Sequence, residues 1–199
     1  MACFQFVTPR SSVIVVAVLL AALFRLIPHP PNFAPIMSSL ALFGAATLTD
    51  RRLAILVPIL SLFLSDLCIE GLHRMGLMAS WGIYPGMWMT YTAFLLISLL
   101  GFLLPHHRTV PAITGAALAG SVIFYVVTNF GVWAGGNLYP HTLEGLLICY
   151  AAAIPFFQNT LIGDAVYSTA LFGGFALAER WLPVLRELPL TPAPKHAPA

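Results

Sequence analysis

The sequence predicts an all-α, polytopic membrane protein: a six-transmembrane-helix bundle with an extra interfacial or re-entrant segment before the last helix. Of the 199 residues, 59% are hydrophobic and only 8% are charged, whereas soluble domains carry about 25% charged residues. The mean hydropathy is +0.90. Several apolar runs also approach or reach the length of about 17 to 25 residues that a bilayer-crossing helix needs.

The apolar runs follow one another along the chain, and six of them are interpreted as spans. The first leads through Arg25 into Pro28 with no small-residue cleavage site, so it is a retained span and not a signal peptide. A further run over 143–157 is short for a crossing and ends in Ile154-Pro155, so it is the predicted interfacial or re-entrant segment. The six predicted spans are 11–27, 33–49, 53–69, 85–104, 110–131 and 158–181.

The basic residues predict the orientation of the bundle, because Lys and Arg are enriched in cytoplasmic loops. With the amino terminus inside, seven basic residues lie inside and two lie outside. The inside set is Arg10, Arg51, Arg52, Arg108, Arg180, Arg186 and Lys195, and the outside set is Arg25 and Arg74. Both termini are therefore predicted to be cytoplasmic. Residues 1–188 form a single predicted transmembrane domain, and residues 189–199 a flexible cytoplasmic tail.

The sequence contains no enzyme signature. It has no phosphate-cradling glycine loop, no His-Glu-x-x-His and no nucleophile elbow, so no catalytic residue is assigned. The net charge of +2 is too small to indicate a nucleic-acid partner. Cys3, Cys68 and Cys149 have no pairing or zinc spacing. No cofactor of the protein's own is predicted.

Two carboxylates, Asp66 and Asp164, stand inside otherwise apolar segments. An ionisable group at bilayer depth costs a few kcal/mol or more, so by default it marks a binding site or a pathway. The alternative for each residue is a position near the headgroups, or a hydrogen bond to a neighbouring helix that fixes packing.

Polar and aromatic residues collect at the predicted outer ends of the helices. Amides, hydroxyls and aromatic faces suit a polar organic ligand with a flat or bulky body. The alternatives are an aromatic belt at the membrane surface and a transition-metal site made of His29, Asp66, Glu70 and His73. The predicted ligand-binding residues are His29, Asn32, Asp66, Tyr84, Trp88, Tyr91, Asn129, Trp133 and Tyr139.

Ala17 and Ala21 form an Ala-x-x-x-Ala pattern in the first span. Small side chains at this spacing let another helix approach closely. The pattern is typical either of contact with a partner protein or of packing inside the bundle.

Taken together, the chain resembles the substrate-binding S-component of energy-coupling factor (ECF) vitamin transporters. Within that family it looks most like the small cobalamin-specific components of Gram-negative bacteria, the BtuM type. The resemblance rests on the short six-helix build, on Ala17 and Ala21, and on four segments spread over nearly the whole chain. These are Pro28–Phe33, Ser65–Leu67, the segment around Tyr84 and Thr128–Trp133.

The resemblance implies uptake of a vitamin, most of all cobalamin or a related corrinoid, across the cytoplasmic (inner) membrane of a bacterium. It implies that Ala17 and Ala21 contact an ECF transmembrane coupling subunit, which works with ATPases. One branch of the type ligates the corrinoid cobalt through a cysteine near the start of the fourth helix, and chemistry on the bound corrinoid depends on that ligand. Here that region, Leu77–Trp81, has no cysteine, so Cys68 or His29 is the expected cobalt ligand if there is one.

Two other functions remain open. The first is a proton- or metal-coupled small-solute carrier that uses Asp66 and Asp164 as relay carboxylates. The second is a membrane scaffold with no substrate.

Overall fold

The computed structural model describes residues 8–27, 38–104 and 108–186. The described residues form helices and turns without a strand, which confirms the all-helical prediction. The helices are α1 (Pro9–Leu23), α2 (Ser38–Thr47), α3 (Arg51–Arg74), α4 (Met87–Gly101), α5 (Val110–Gly135), α6 (Leu143–Ser168) and α7 (Gly174–Trp181). Short 3-10 turns follow α1 at Phe24–Leu26 and α7 at Pro183–Leu185, and a π-helical turn, Thr169–Gly173, joins α6 to α7.

Four helical stretches of the described chain are long and apolar enough to cross a membrane: Pro9–Leu26, Arg51–Arg74, Val110–Gly135 and Leu143–Trp181. The helices α2 and α4 are apolar but shorter. Much of the outer surface is apolar, and α3 shows why: Leu60, Phe63, Leu64 and Leu67 are exposed while Ser65 and Asp66 between them are buried. A helix with this distribution suits a lipid environment, where the polar side chains turn towards the protein interior.

Side-chain caps account for where three of the long helices begin. Thr8 accepts a hydrogen bond from the Ser11 amide at 3.1 Å before α1. Asp50 accepts one from the Arg52 amide at 2.7 Å before α3, and Thr142 accepts one from the Gly145 amide at 3.1 Å before α6. Such caps satisfy backbone donors that have no partner within the helix.

The last two apolar runs do not form separate elements. The run over 143–157, predicted as an interfacial or re-entrant segment, is the first half of α6, which continues through Pro155 to Ser168. The break expected at Pro155 is absent because a membrane helix can accommodate proline when neighbouring groups satisfy the freed backbone. Together with the π turn and α7 this stretch has 39 residues.

The helix α2 lies in the centre of the bundle and contacts α1, α3, α4, α5 and α6. Nearly every residue from Ser38 to Thr47 is buried, as expected of a helix that is surrounded by protein on all sides. The ring of Phe43 packs edge-on against Phe172 and Phe175, with ring centroids 5.2 and 5.7 Å apart. The carboxyl-terminal part of the α6–α7 stretch is thereby held against α2.

Gly120 on α5 allows α2 to pack closely. A Cβ atom at Gly120 would lie 2.8 Å from Cβ of Ser38, whereas one at Gly115 on the same helix would meet nothing within 4 Å. We expect Gly120→Leu to lower the free energy of unfolding by about 1–3 kcal/mol through overpacking. Gly115→Leu is the matched control and should unfold at or slightly above the wild-type temperature. Equal unfolding temperatures for the two variants in detergent would contradict this packing.

Candidate functional site

Asp164 lies near the middle of the bundle and accepts hydrogen bonds from three other residues. Its Oδ1 accepts from the backbone amides of Ser38 and Ser39, both at 3.3 Å, and from Oγ of Ser39 at 3.0 Å. Its Oδ2 accepts from Oγ of Ser121 at 2.5 Å. Ser168, one turn further along α6, donates to Oγ of Ser39 at 3.1 Å. Asp164 is only 4% exposed, so it joins α2, α5 and α6 inside the protein.

The carboxylate of Asp164 takes the place of an N-terminal cap for α2. The first two amides of that helix point at it, and the positive end of the helix dipole favours a negative charge there. Ser38, the first described residue of α2, is joined by its amide hydrogen bond to the long α6–α7 stretch inside the bundle.

A cavity of about 580 Å³ lies beside Asp164, between α5 on one side and α6, the π turn and α7 on the other. At about 1.5 Å per residue, it follows α5 for roughly 17 Å from Ser121 to Val110, and it also reaches Arg108 just before the helix. Its polar lining residues are Arg108, Thr114, Ser121, Asp164, Ser168, Thr169 and Glu179, and its apolar lining includes Ala117, Leu118, Leu161, Ala165, Phe172 and Phe175.

The cavity exists because α5 and α6 pack closely along only part of their length. Near the turn that connects them, the Tyr125 hydroxyl donates to the Tyr150 carbonyl at 2.6 Å, and the Tyr150 hydroxyl donates to the Val126 carbonyl at 2.8 Å. At the other end of α5 the cavity separates the two. The π turn Thr169–Gly173 contributes to the wall, and π turns occur often at functional sites.

Asp66 is neutralised inside the protein. The guanidinium of Arg25 forms an ion pair with its Oδ1 and also donates to Oγ of Ser65 at 2.6 Å. The Tyr91 hydroxyl donates to Oδ2 of Asp66 at 2.7 Å. The side chains of Arg25 and Asp66 are 12% and 2% exposed. These contacts join the end of α1 to α3 and α4, which is the packing alternative that the sequence left open for Asp66.

Arg25, Ser65, Asp66 and Tyr91 together form the Asp66 group. Tyr84 lies near this group, in the connection between α3 and α4. Its hydroxyl is 2.8 Å from Oγ1 of Thr90. Burial raises the pKa of the Tyr84 phenol, so it stays protonated at neutral pH. Trp88, at the start of α4, is 61% exposed and points away from the interior.

The remaining predicted ligand residues belong to the turn between α5 and α6. The side-chain amide of Asn129 donates to the Tyr125 carbonyl at 2.8 Å, and Nε1 of Trp133 donates to the Pro140 carbonyl at 3.0 Å. Tyr139 is half-buried in the same turn. Among the described residues, no hydrogen bond connects this turn to the Asp66 group. His29 and Asn32 lie outside the described residues.

Cys68 is exposed and lies on the opposite face of α3 from Asp66. It therefore points away from the Asp66 group. His29, the other expected cobalt ligand, lies outside the described part of the chain. Across 8–27, 38–104 and 108–186, no group of three or more His, Cys, Asp or Glu side chains is arranged to hold a metal ion.

Ala17 and Ala21 face the protein's own core. Ala21 is 8% exposed and belongs to the main apolar cluster, and Ala17 packs against that cluster. The exposed face of α1 instead carries Val16, Leu20 and Leu23. The contact with a coupling subunit stays a prediction, and such a contact at these alanines would compete with their internal packing.

The sequence reading missed Arg25 as the partner of Asp66 and missed the serines around Asp164. Part of the signal was present, because Leu161, Asp164, Ser168 and Phe172 recur at helical spacing on one face of α6. Ser38, Ser39 and Ser121 come from other helices, and no local pattern connects them to Asp164.

These features define a helical bundle with several membrane-length apolar helices and a largely apolar cavity, with Asp164 on its wall, between α5 and the α6–α7 stretch. The chain belongs to a family of unknown function, DUF6580, whose model matches residues 6–185. No curated protein matches the chain. No solved structure matches it either.

Proposed function

We propose that this protein is the solute-binding membrane component of a nutrient-uptake system, and that the solute binds in the cavity beside Asp164. The observation that carries the proposal is the buried carboxylate on the wall of a cavity between α5 and the α6–α7 stretch. A carboxylate at this depth costs folding free energy. An apolar residue would fill the same space without that cost if packing were its only role.

The size and lining of the cavity support a small organic solute. Its volume of about 580 Å³ lies within the range of about 300–1,000 Å³ that is usual for small-molecule sites. The apolar walls suit the body of such a molecule, and the few polar groups can fix its orientation.

The proposal includes six spans, with α2 and α4 counted as short spans inside the bundle and both termini in the cytoplasm. Arg10 donates to Glu179 at 2.5 Å, and Arg108 donates to the Ala46 carbonyl at 3.3 Å. These contacts support the grouping of inside basic residues at one end of the molecule. The cavity reaches Arg108 and Glu179, so in this orientation it extends towards the cytoplasmic end.

The resemblance to ECF S-components implies a different form of the proposal, with a binding site other than the cavity: uptake of a vitamin, with cobalamin as the specific candidate, across a bacterial inner membrane together with a coupling subunit and ATPases. A corrinoid is larger than the ligands usual for a cavity of this size, so its site would be the outer surface near Tyr84 and Trp133. The absorbance spectrum of the purified protein after incubation with cobalamin and gel filtration tests this form. Retained corrinoid absorbance supports it, and a bare protein spectrum contradicts it.

A proton-coupled carrier is the second candidate, and Asp164 favours it. A carboxylate held by neutral donors can gain and lose a proton without breaking an ion pair. Asp66 fits a relay role less well, because Arg25 already neutralises it. Uptake that stops when the proton gradient is dissipated, while ATP is maintained, would favour this candidate over an ATPase-driven component.

Native mass spectrometry of the protein purified in mild detergent tests the cavity as the solute site. Ala165 lines the cavity and is exposed to it without being part of the core, so Ala165→Phe should fill the space without disturbing α2. We expect a co-purified small molecule on the wild-type protein and its loss from Ala165→Phe. Val166→Phe, which alters the neighbouring exposed position outside the cavity, is the matched control and should keep it. The same bound molecule on all three proteins would contradict the proposed site.

A further inference from the structure

The two oxygens of Asp164 are used unequally. Oδ1 accepts three hydrogen bonds, from two backbone amides and one hydroxyl, while Oδ2 accepts one, from Ser121. An ionised carboxylate offers about four acceptor positions, two on each oxygen. Oδ2 therefore has an acceptor position left, and Asp164 and Ser121, the residue that donates to Oδ2, both line the cavity from which a further donor can enter.

When Asp164 is ionised, the charge beside this position is negative. The groups that donate to Asp164 are backbone amides of α2 and the hydroxyls of Ser39 and Ser121, and the buried hydroxyl of Ser38 lies beside it; all of them are neutral. Among the described residues, the charged groups that line the cavity besides Asp164 are Arg108 and Glu179, at its other end, and Glu179 forms an ion pair with Arg10. Asp66 is the contrasting case, because an arginine neutralises it directly.

The walls of the cavity limit which kind of cation can bind beside Asp164. Ala165, Leu118 and Phe172 are apolar and leave space for a hydrocarbon or aromatic body, while the hydroxyls of Ser168 and Thr169 offer two further polar atoms. A divalent metal ion would need more oxygen or nitrogen ligands, and no metal-binding group was found in the described chain. A protonated amine needs fewer partners, because its carbon body packs against the apolar walls.

We propose that the cavity selects a small organic cation, whose ammonium group donates to Oδ2 of Asp164 while its apolar body lies against Phe172 and Leu118. This inference rests on the proposed function, since it names the class of solute for the same site. A cation in this position forms a charge-assisted hydrogen bond, which is stronger than the neutral equivalent.

Three probes of nearly equal shape test the charge selectivity: benzylammonium, benzyl alcohol and benzoate. Binding to the purified full-length protein is measured by ligand-observed NMR titration and by thermal unfolding. We expect benzylammonium to bind at least about tenfold more tightly than the alcohol, which corresponds to a difference of about 1.4 kcal/mol in binding free energy. Benzoate should not bind, because its carboxylate would face Asp164.

The variant Asp164→Asn should lose this preference and bind the ammonium and the alcohol equally. The asparagine oxygen can still accept from the α2 amides, and its NH₂ can donate to Oγ of Ser121, so the fold should be kept. Asp66→Asn removes the other membrane carboxylate and should keep the preference. Ala165→Phe should bind none of the probes.

The wild-type series is decisive even where a variant fails to fold. Equal binding of ammonium and alcohol to the wild-type protein overturns the cation selectivity but leaves the cavity as a solute site. Binding of none of the three probes overturns the selectivity, and if native mass spectrometry also finds no solute, the proposed function fails with it. An ammonium preference that survives in Asp164→Asn places the cation elsewhere and overturns the inference.

Discussion

Replacing Asp164 with alanine is expected to lower the free energy of unfolding by about 2–5 kcal/mol. The substitution leaves the backbone amides of Ser38 and Ser39 without acceptors at the buried start of α2. Backbone amides cannot rotate to find other partners, and each unsatisfied buried donor costs about 1–3 kcal/mol. The hydroxyls of Ser39 and Ser121 lose their acceptor as well.

Reversible unfolding in mixed micelles measures this loss. Thr160→Ala is a matched control on the same helix, because Thr160 is also buried but bonds only to the Phe156 carbonyl of its own helix in the described structure. It should unfold close to the wild-type protein, and Asp164→Asn should lie between the control and Asp164→Ala. If Asp164→Ala proves as stable as Thr160→Ala, the carboxylate does not hold the start of α2.

Replacing Arg25 with methionine is expected to destabilise the protein by about 3–5 kcal/mol, the cost of leaving a buried charge without its partner. Asp66 is 2% exposed, and Arg25 is its cationic partner in the described structure. Removing both charges in Arg25→Met/Asp66→Leu should recover much of the loss, because a buried ion pair can often be replaced by apolar residues of similar size.

A double-mutant cycle on these two positions gives the coupling directly. Arg74→Ala is the control for the loss of an arginine, since the Arg74 side chain is 75% exposed and its ion pair with Glu70 lies at the surface. That variant should unfold at nearly the wild-type temperature.

Affinity for the cavity solute should be unchanged in Asp66→Asn, because Asp66 joins helices and does not line the cavity. A selective loss of affinity at unchanged stability would return Asp66 to the binding site.

The apolar runs of the sequence were sufficient to predict the all-helical class and the position of several helices. The predicted spans 53–69 and 110–131 fall within α3 and α5. The same local reasoning misplaced Pro155, because what a membrane helix tolerates depends on its neighbours. Asp66 and Asp164, the two carboxylates in apolar segments, are both buried in the structure.

The sequence could not predict how the two carboxylates differ. Asp66 meets Arg25, and Asp164 meets Ser38 and Ser121, across large separations along the chain. Both environments depend on which helices are neighbours. The cavity depends in addition on the separation of α5 from the end of α6, a property of two helix axes that no sequence pattern encodes. The prediction that aromatic and amide residues at the outer turns bind a ligand remains a prediction.

Thiol labelling of position 165 tests most directly whether the cavity is a solute site open to water. Ala165→Cys and Val166→Cys are compared in a background without Cys3, Cys68 and Cys149, because Ala165 lines the cavity and Val166 is exposed on the outer surface. Methanethiosulfonate reagents that carry a cationic or an anionic group are applied to the protein in lipid nanodiscs. We predict rapid labelling of position 165, faster with the cationic reagent because of Asp164, and little labelling of position 166. Equally slow labelling of both positions, with no dependence on reagent charge, would contradict a solute site at Asp164.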